Sequence, residues 1–242
     1  MEYRYAVNEN YEDFSSGRVF KNMNGVPNFP VRLIKEIFER CVSYSNKKKD
    51  LIVYDCCCGG GYALSVLGFC YNHQITKVIG SDIDPAMLSV AAGNLELLSH
   101  DGLKRRIEEI QSMIDQFQKQ SHEAALQSAK KLQNLLTKEM KTKLFCANVF
   151  ELTPFEDSPD IIITDVPYGN LVTWHGNDHT VDLLLESLAK VCKQDTIVAI
   201  CMDKKQKCSQ TMYRRLEKQT IGKRKFEIFA MDRINKEELG KL

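Results

Sequence analysis

No stretch of this chain approaches the roughly 18 apolar residues of a membrane span. Its N-terminus, MEYRYAVNENYEDF, is polar and acidic where a signal peptide would carry an apolar core. Both absences argue against a membrane function. Net charge is nearly absent as well, formally +1, so no overall field draws the chain toward nucleic acid or membrane, and any surface that binds either must come from local clustering. There is no internal repeat and no low-complexity tract. None of the nine cysteines forms a C-x-x-C pair, and three of them, Cys56, Cys57 and Cys58, are adjacent, a poor arrangement for zinc. Most of the others lie in apolar runs, where a free cysteine behaves as a small hydrophobe. So many unpaired thiols suit a reducing compartment, and the expected location is the cytoplasm. His175 and His179 have no ligand company, so no metal site is expected.

What is present is ordinary for a soluble protein: 242 residues, 43% hydrophobic and 27% charged. That length suits a single domain over 1–242, with or without an insertion. Residues 30–44 place Val31, Ile34, Ile37, Phe38 and Cys41 at helical spacing, behind Pro30 at a helix start. With the preceding segment they form an N-terminal cap over 1–50. LIVYDC (51–56) then reads as a buried strand turning at CGGG into a helix from Tyr62 to about Tyr71. KVIGSD (77–82) is the next strand, and Asp84-Pro85 opens the helix AMLSVAAGNLELL.

The β-α alternation is then interrupted. Apolar stripes over 103–117 and 124–140, separated by KQSHE, predict a helical hairpin inserted over 101–143 after the second strand. Alternation resumes with KLFCANVF (143–150), DIIITD (160–165), a helix over 181–192 and TIVAICM (196–202). A helix near Gln210–Gln219 and the strand KFEIFAM (225–231) are expected to finish the chain. Six strands are counted, and a seventh near Thr220 is not placed. The architecture is α/β, an open, doubly wound, mostly parallel sheet of Rossmann-like type, which binds ligands beyond the carboxyl ends of its strands.

The chemistry gathers at those ends. DCCCGGG supplies Asp55, Gly59, Gly60 and Gly61 where the first strand turns, and glycine lets backbone approach a ligand closely. A nicotinamide fingerprint would fit Gly59 and Gly61 but fails at Leu64, where a third glycine belongs. Asp82, ending the second strand, suits the two hydroxyls of a ribose, while Asp84 suits a helix cap. Asn148 can read an adenine edge or satisfy a local turn. The fourth strand leaves through D-V-P-Y (165–168). There Asp165 offers an acceptor for the proton of an amide-like nitrogen, and Tyr168 a surface on which a flat base stacks.

This order, D-x-C-x-G-x-G, S-D-I-D-P, D-V-P-Y, resembles the class I methyltransferases dependent on S-adenosylmethionine (SAM), which methylate nitrogens conjugated to π-systems. Val166 replaces the first proline of their general motif. A closer resemblance is to the avilamycin-resistance (AviRa-type) ribosomal RNA guanine methyltransferases, carried by SGRVF (16–20), FPVRLIKEIFERC (29–41), YDCCCGGGYALSVLG (54–68), SDIDPAMLSVAAGNLELLS (81–99), TDVPYG (164–169), Trp174 and IGKRK (221–225). In that family an aliphatic residue before the proline is expected, whereas Cys56 stands where proline is expected. The resemblance implies SAM as cofactor, 23S ribosomal RNA as partner, and guanine N1 as acceptor with N2 the alternative. It also implies that Asp55, Gly59 and Gly61 line the methionine and ribose part of SAM, that Asp82 holds the ribose hydroxyls, and that Asn148 sits near adenine.

For the RNA, residues 203–225 carry nine basic side chains against two acidic ones, a clustering of the kind phosphate contacts need. Lys204, Lys205, Lys223, Arg224 and Lys225 are the candidates there. Arg18 and Arg32 precede the first strand, where related enzymes cover the cofactor or grip RNA, and Trp174 could wall the base pocket. Nothing demands more than a monomer. Two other readings remain open: methylation of adenine or of a protein glutamine, and a non-enzymatic SAM-binding RNA chaperone.

Overall fold

A computed structural model describes residues 1–23, 28–166, 180–209 and 212–231. Its centre is a seven-stranded sheet built from β1 (Leu51–Asp55), β2 (Ile75–Asp82), β3 (Lys141–Cys146), β4 (Ile161–Asp165), β5 (Ile197–Asp203), β6 (Tyr213–Ile221) and β7 (Arg224–Met231). The strand order is β3-β2-β1-β4-β5-β7-β6. All neighbours pair in parallel except β7, which runs antiparallel to both β5 and β6.

Side chains alternate along each strand, so the apolar runs feed two cores. Val53, Ile161, Ile163, Ala199, Cys201 and Phe226 face one side, under α1 (Val31–Tyr44), α2 (Tyr62–Cys70) and α3 (Pro85–Glu96). Tyr54, Ile162, Val198, Ile200 and Phe229 face the other, under α6 (Val181–Ala189). Each Ile, Leu or Phe fully buried this way contributes about 1.5–3 kcal/mol of transfer free energy. Asp84 caps α3 through its side chain, which accepts from the Ala86 N–H at 2.8 Å, ahead of Pro85.

Between α3 and β3 the chain runs through α4 (His100–Phe117) and α5 (Gln120–Leu135), which pack on each other. The second apolar stripe extends to Met140 in sequence, yet α5 stops at Leu135. Asn72 explains the stop: its Oδ1 accepts the backbone N–H of Thr137 and Lys138 at 3.0 and 2.9 Å, taking both out of helical pairing. Among the described helices none is long and apolar enough to cross a membrane.

The N-terminal segment is pinned across α1. Buried Glu36 accepts the N–H groups of Arg4, Tyr5 and Ala6 at 2.8–2.9 Å and the Nε–H of Arg40 at 2.7 Å. Arg40, also buried, pairs with Glu217 of β6 and donates to the Glu2 carbonyl. An anchor of this kind commits residues on three elements at once.

One element differs from its sequence pattern. The pattern predicts a helix over Gln210–Gln219, but Tyr213–Ile221 is the edge strand β6, which supplies the unplaced strand near Thr220. A two-residue turn, Gly222-Lys223, folds it back on β7, with Gly222 at φ 59°, a backbone region open to glycine at little cost. The strand is charge-rich because its outer edge meets solvent, where charged side chains discourage further pairing.

Candidate active site

In a sheet of this order the chain departs from β1 in opposite directions, to β2 on one side and β4 on the other. Loops on either side of that switch point diverge and leave a crevice. Asp55, Asp82 and Asp165 are the last residues of β1, β2 and β4, so three carboxylates meet around it.

The glycine turn is held by its neighbours on every side. Cys58 N–H donates to the Ser81 carbonyl at 2.9 Å, and Gly59 N–H to Asp82 Oδ2 at 2.8 Å. Gly61 takes φ 70° as the residue before α2. A Cβ on Gly61 would lie 3.1 Å from Ala91 Cα, and one on Gly59 would lie 3.2 Å from the Met87 Cε. The close approach these glycines serve is thus to α3, which leaves backbone and carboxylates on the other side of the turn.

Asp55 is 5% exposed, and its Oδ1 accepts from the Cys57 N–H at 3.1 Å. Burial pushes its carboxyl up to about 7, a push that the charges of Asp82 and Asp165 reinforce. The adjacent Cys58 thiol is pushed far above its usual range, first by burial and then by Asp55 and Asp82, so it stays protonated and behaves as filler. An acidic, partly desolvated crevice of this kind favours a cationic ligand. Arg224 brings a cation to Asp165, its Nη1 lying 3.8 Å from Asp165 Oδ2.

Asp55, Gly59, Gly61, Asp82 and Asp165 therefore meet at one turn. Asn148 follows β3 beside them: the Ala147 N–H donates to the Asp82 carbonyl at 3.0 Å. Its Oδ1 serves the turn, accepting from the Phe150 N–H at 3.2 Å. Tyr168 and Trp174 lie outside the described residues.

Two residues of the site escape a reading of the sequence. Asn94, buried in α3, donates to the Gly60 carbonyl at 2.8 Å, and its only signal is a lone amide in an apolar helix. Ile83, 45% exposed, offers an apolar surface next to Asp82. A hydrophobe following a strand-end acid could have suggested it.

The basic candidates divide. Lys204 and Lys205 are exposed in the turn after β5, and Lys223 is exposed in the β6–β7 turn. The Lys204 N–H donates to the Lys223 carbonyl at 3.0 Å, which brings the two turns together at the carboxyl end of β5. Lys225 is a correction: it is 3% exposed, and its Nζ lies 2.6 Å from Glu227 Oε1. Alternation along β7 turns Lys225 toward Glu227 and away from Arg224. Arg215 and Lys218 also lie within ion-pair distance of Glu227, so three cations of the basic tract surround one buried carboxylate.

Arg32 and Arg18 serve the N-terminal segment. Arg32 Nε donates to the Ala6 carbonyl at 3.1 Å, and its guanidinium stacks 3.9 Å over the Tyr3 ring. Arg18 meets Glu12 and the Ser128 hydroxyl, each at 3.4 Å, which links the segment to α5.

Comparison with known proteins identifies the family. The sequence model of the family described as "RRNA methyltransferase AviRa" matches residues 1–224. The 23S rRNA (guanine(2535)-N(1))-methyltransferase of Streptomyces viridochromogenes is 36% identical over 233 residues, covering 92% of this chain and 93% of that protein. The solved structure of the rRNA methyltransferase AviRa from the same organism superposes with a TM-score of 0.84 at 32% identity, covering 95% of this chain and 96% of the other. A Pyrococcus horikoshii structure, 12% identical with a TM-score of 0.52 and covering 88% of this chain and 92% of its own, shares the fold alone.

Proposed function

The chain belongs to the AviRa family of rRNA methyltransferases, and from that premise we propose that it transfers a methyl group from SAM to N1 of a guanine in 23S ribosomal RNA. The observation that carries this reading is the delivery of Asp55, Asp82 and Asp165 to one glycine turn at the switch point. The donor set fits a cationic nucleoside. Asp55 is a desolvated carboxylate suited to the ammonium of the methionine part, Asp82 to ribose hydroxyls, and Ile83 with Asn148 to the face and edge of adenine.

When bound, SAM supplies an electrophilic methyl carbon on a sulfonium centre whose C–S bonding pair leaves on sulfur as a neutral thioether. Asp165 stands at the end of β4, on the far side of β1 from Asp82. Its carboxylate would accept the N1 proton, freeing the ring nitrogen's lone pair for methyl transfer. The proton then passes to solvent. Tyr168, three residues further along the sequence, is assigned to stacking on the base, and Trp174 to the pocket wall.

Exposed Lys204, Lys205 and Lys223 are assigned to phosphates beside the entrance. Residues 1–242 are read as one unit, monomeric and working in the cytoplasm where the ribosomal substrate is assembled, with 1–50 as a cap and 101–143 as an arm.

The test is product identity. 23S rRNA incubated with the protein and methyl-labelled SAM, then digested to nucleosides, should yield labelled 1-methylguanosine. Label in N2-methylguanosine, in a methyladenosine or in protein would replace this reading with another acceptor. No transfer alongside tight SAM and RNA binding would point to a chaperone.

A further inference from the structure

Because β7 alone runs antiparallel, its first residue lies at the edge where the parallel strands end. Register pairs Asp165 with Cys201 across β4–β5, Cys201 with Phe226 across β5–β7, and Asp203 with Arg224 two residues nearer the edge. Residues two apart on a strand share a face, so Arg224 stands on the same face as Phe226, the face of Cys201 that α1 covers. From there the guanidinium reaches across Cys201. Its Nη1 comes 3.8 Å from Asp165 Oδ2, and its Cζ lies 5.9 Å from the centroid of Phe29, just before α1. Asp165 and Arg224 keep 29% and 27% of their side chains exposed. The Asp165 Oδ1 and Arg224 Nη1 atoms are themselves buried, so the exposed part of each side chain lies on its other atoms. At 3.8 Å the two form an ion pair, which sets a carboxylate acceptor beside a guanidinium donor.

We propose that Arg224 determines specificity in the reaction, donating N–H to O6 of the target guanine while Asp165 accepts N1–H. This inference rests on the reading of guanine N1 methylation given above. Guanine presents an acceptor, O6, beside a donor, N1–H, and a guanidinium beside a carboxylate matches that order. Adenine presents the reverse, a 6-amino donor beside an N1 acceptor, so both contacts would oppose it. The second effect is on rate. Once N1–H has given its proton to Asp165, the negative charge of the purine spreads onto O6, and a cation already placed there stabilises it without reorganisation. The N1 proton leaves through Asp165. A phosphate-binding arginine would sit with exposed Lys204 and Lys223 instead of reaching in toward the acid of β4.

The variants are Arg224→Gln and Arg224→Lys, assayed by single-turnover methylation of a 23S rRNA fragment from about pH 6 to about pH 9, with SAM and RNA affinities measured alongside. Arg224→Gln should be slower by roughly 100-fold near neutrality, with the deficit shrinking as pH rises and guanine N1 begins to ionise unaided. Arg224→Lys, which keeps the charge but loses the fork, should fall between. A 6-thioguanosine at the target, a weaker acceptor at that position, should slow the wild-type protein but not Arg224→Gln any further. An unchanged rate and pH profile in Arg224→Gln would overturn the assignment. So would a loss that saturating RNA restores, which marks a phosphate contact, or a loss of SAM binding in both variants, which marks a role in the fold. If the wild-type protein itself forms no 1-methylguanosine, the functional reading has failed first, and the Arg224 assignment falls with it.

Discussion

Asn94 of α3 donates its side-chain amide to the carbonyl of Gly60 at 2.8 Å and to that of Lys21 at 3.0 Å, while its Oδ1 accepts the Lys21 N–H at 2.7 Å. One buried amide therefore clamps the glycine turn to the N-terminal segment through a helix that touches both. Replacing it with Ala would leave these partly buried backbone groups without their partner. Each unsatisfied buried group costs about 1–3 kcal/mol. Asn94→Ala is expected to lower stability by about 2–4 kcal/mol and to weaken SAM binding by loosening the turn, as read by denaturant unfolding and calorimetric titration. An unchanged SAM affinity in a measurably destabilised variant would separate the clamp from the site.

Asp55 makes the site sensitive to pH in two opposed ways. Burial raises its carboxyl to about 7 in the folded protein, from an ordinary value of 3.8. Between those values the folded state holds a proton that the unfolded state has released, so by linkage this residue's contribution to stability falls as pH rises from about 4 to about 7. Binding a cationic ligand requires the ionised form. SAM affinity should therefore drop by about tenfold for each unit below 7, with release of close to one proton on binding near pH 6. Titrations in buffers of different ionisation enthalpy measure that proton. Asp55→Asn should bind SAM weakly and lose the pH dependence; if the dependence persists, another group owns it.

Glu36 works with the opposite sign. Burial raises its carboxyl, but the N–H groups of Ala6, Arg4 and Tyr5, with Arg40, more than offset that and hold it below its ordinary value. Its contribution to stability is thus present above the unfolded value and is lost as pH falls through the lower, folded one. Glu36→Gln would leave Arg40 buried with Glu217 as its remaining carboxylate. Breaking a buried pair by removing one partner costs about 3–5 kcal/mol. Hydrogen exchange should then show the amides of Arg4, Tyr5 and Ala6 losing protection together, ahead of the sheet. Protection retained in that variant would mean that Arg32, through Ala6 and Tyr3, is the true anchor.

What is legible in the sequence follows from the same physics. The parallel strands announce themselves because both faces are buried, so LIVYD and IIITD read as continuous apolar runs, each ending on an aspartate of the candidate site. Asp55, Asp82 and Asp165 are readable because strand ends are where such sheets work. The edge strand β6 is not, since YRRLEKQTI is buried on too little of its surface to show a clean period of two. Asn94 is hidden because a helix pattern reports which face is buried and not which carbonyl an amide meets. Lys225 misleads because a run of basic residues looks like one patch until a strand turns alternate members to opposite faces.

That alternation makes the basic tract testable residue by residue. Lys204, Lys205 and Lys223 are exposed at one end of the sheet, joined by the hydrogen bond between Lys204 and Lys223, whereas Lys225 is committed to Glu227. If the exposed three bind phosphates, changing each to Ala should weaken RNA binding across sequences. The slope of log affinity against log salt should also become shallower by about 0.7–0.9 for each phosphate left unneutralised. SAM affinity should stay as it was. Lys225→Met should behave in the reverse manner. It leaves the RNA affinity and salt slope alone but uncovers the charge of Glu227, which Arg215 and Lys218 can only partly neutralise from half-exposed positions. Unfolding of Lys225→Met is therefore expected at lower denaturant, and a second change, Glu227→Gln, should recover most of the loss. A Lys225→Met protein that keeps its stability but no longer binds RNA would show that this lysine turns outward when RNA arrives.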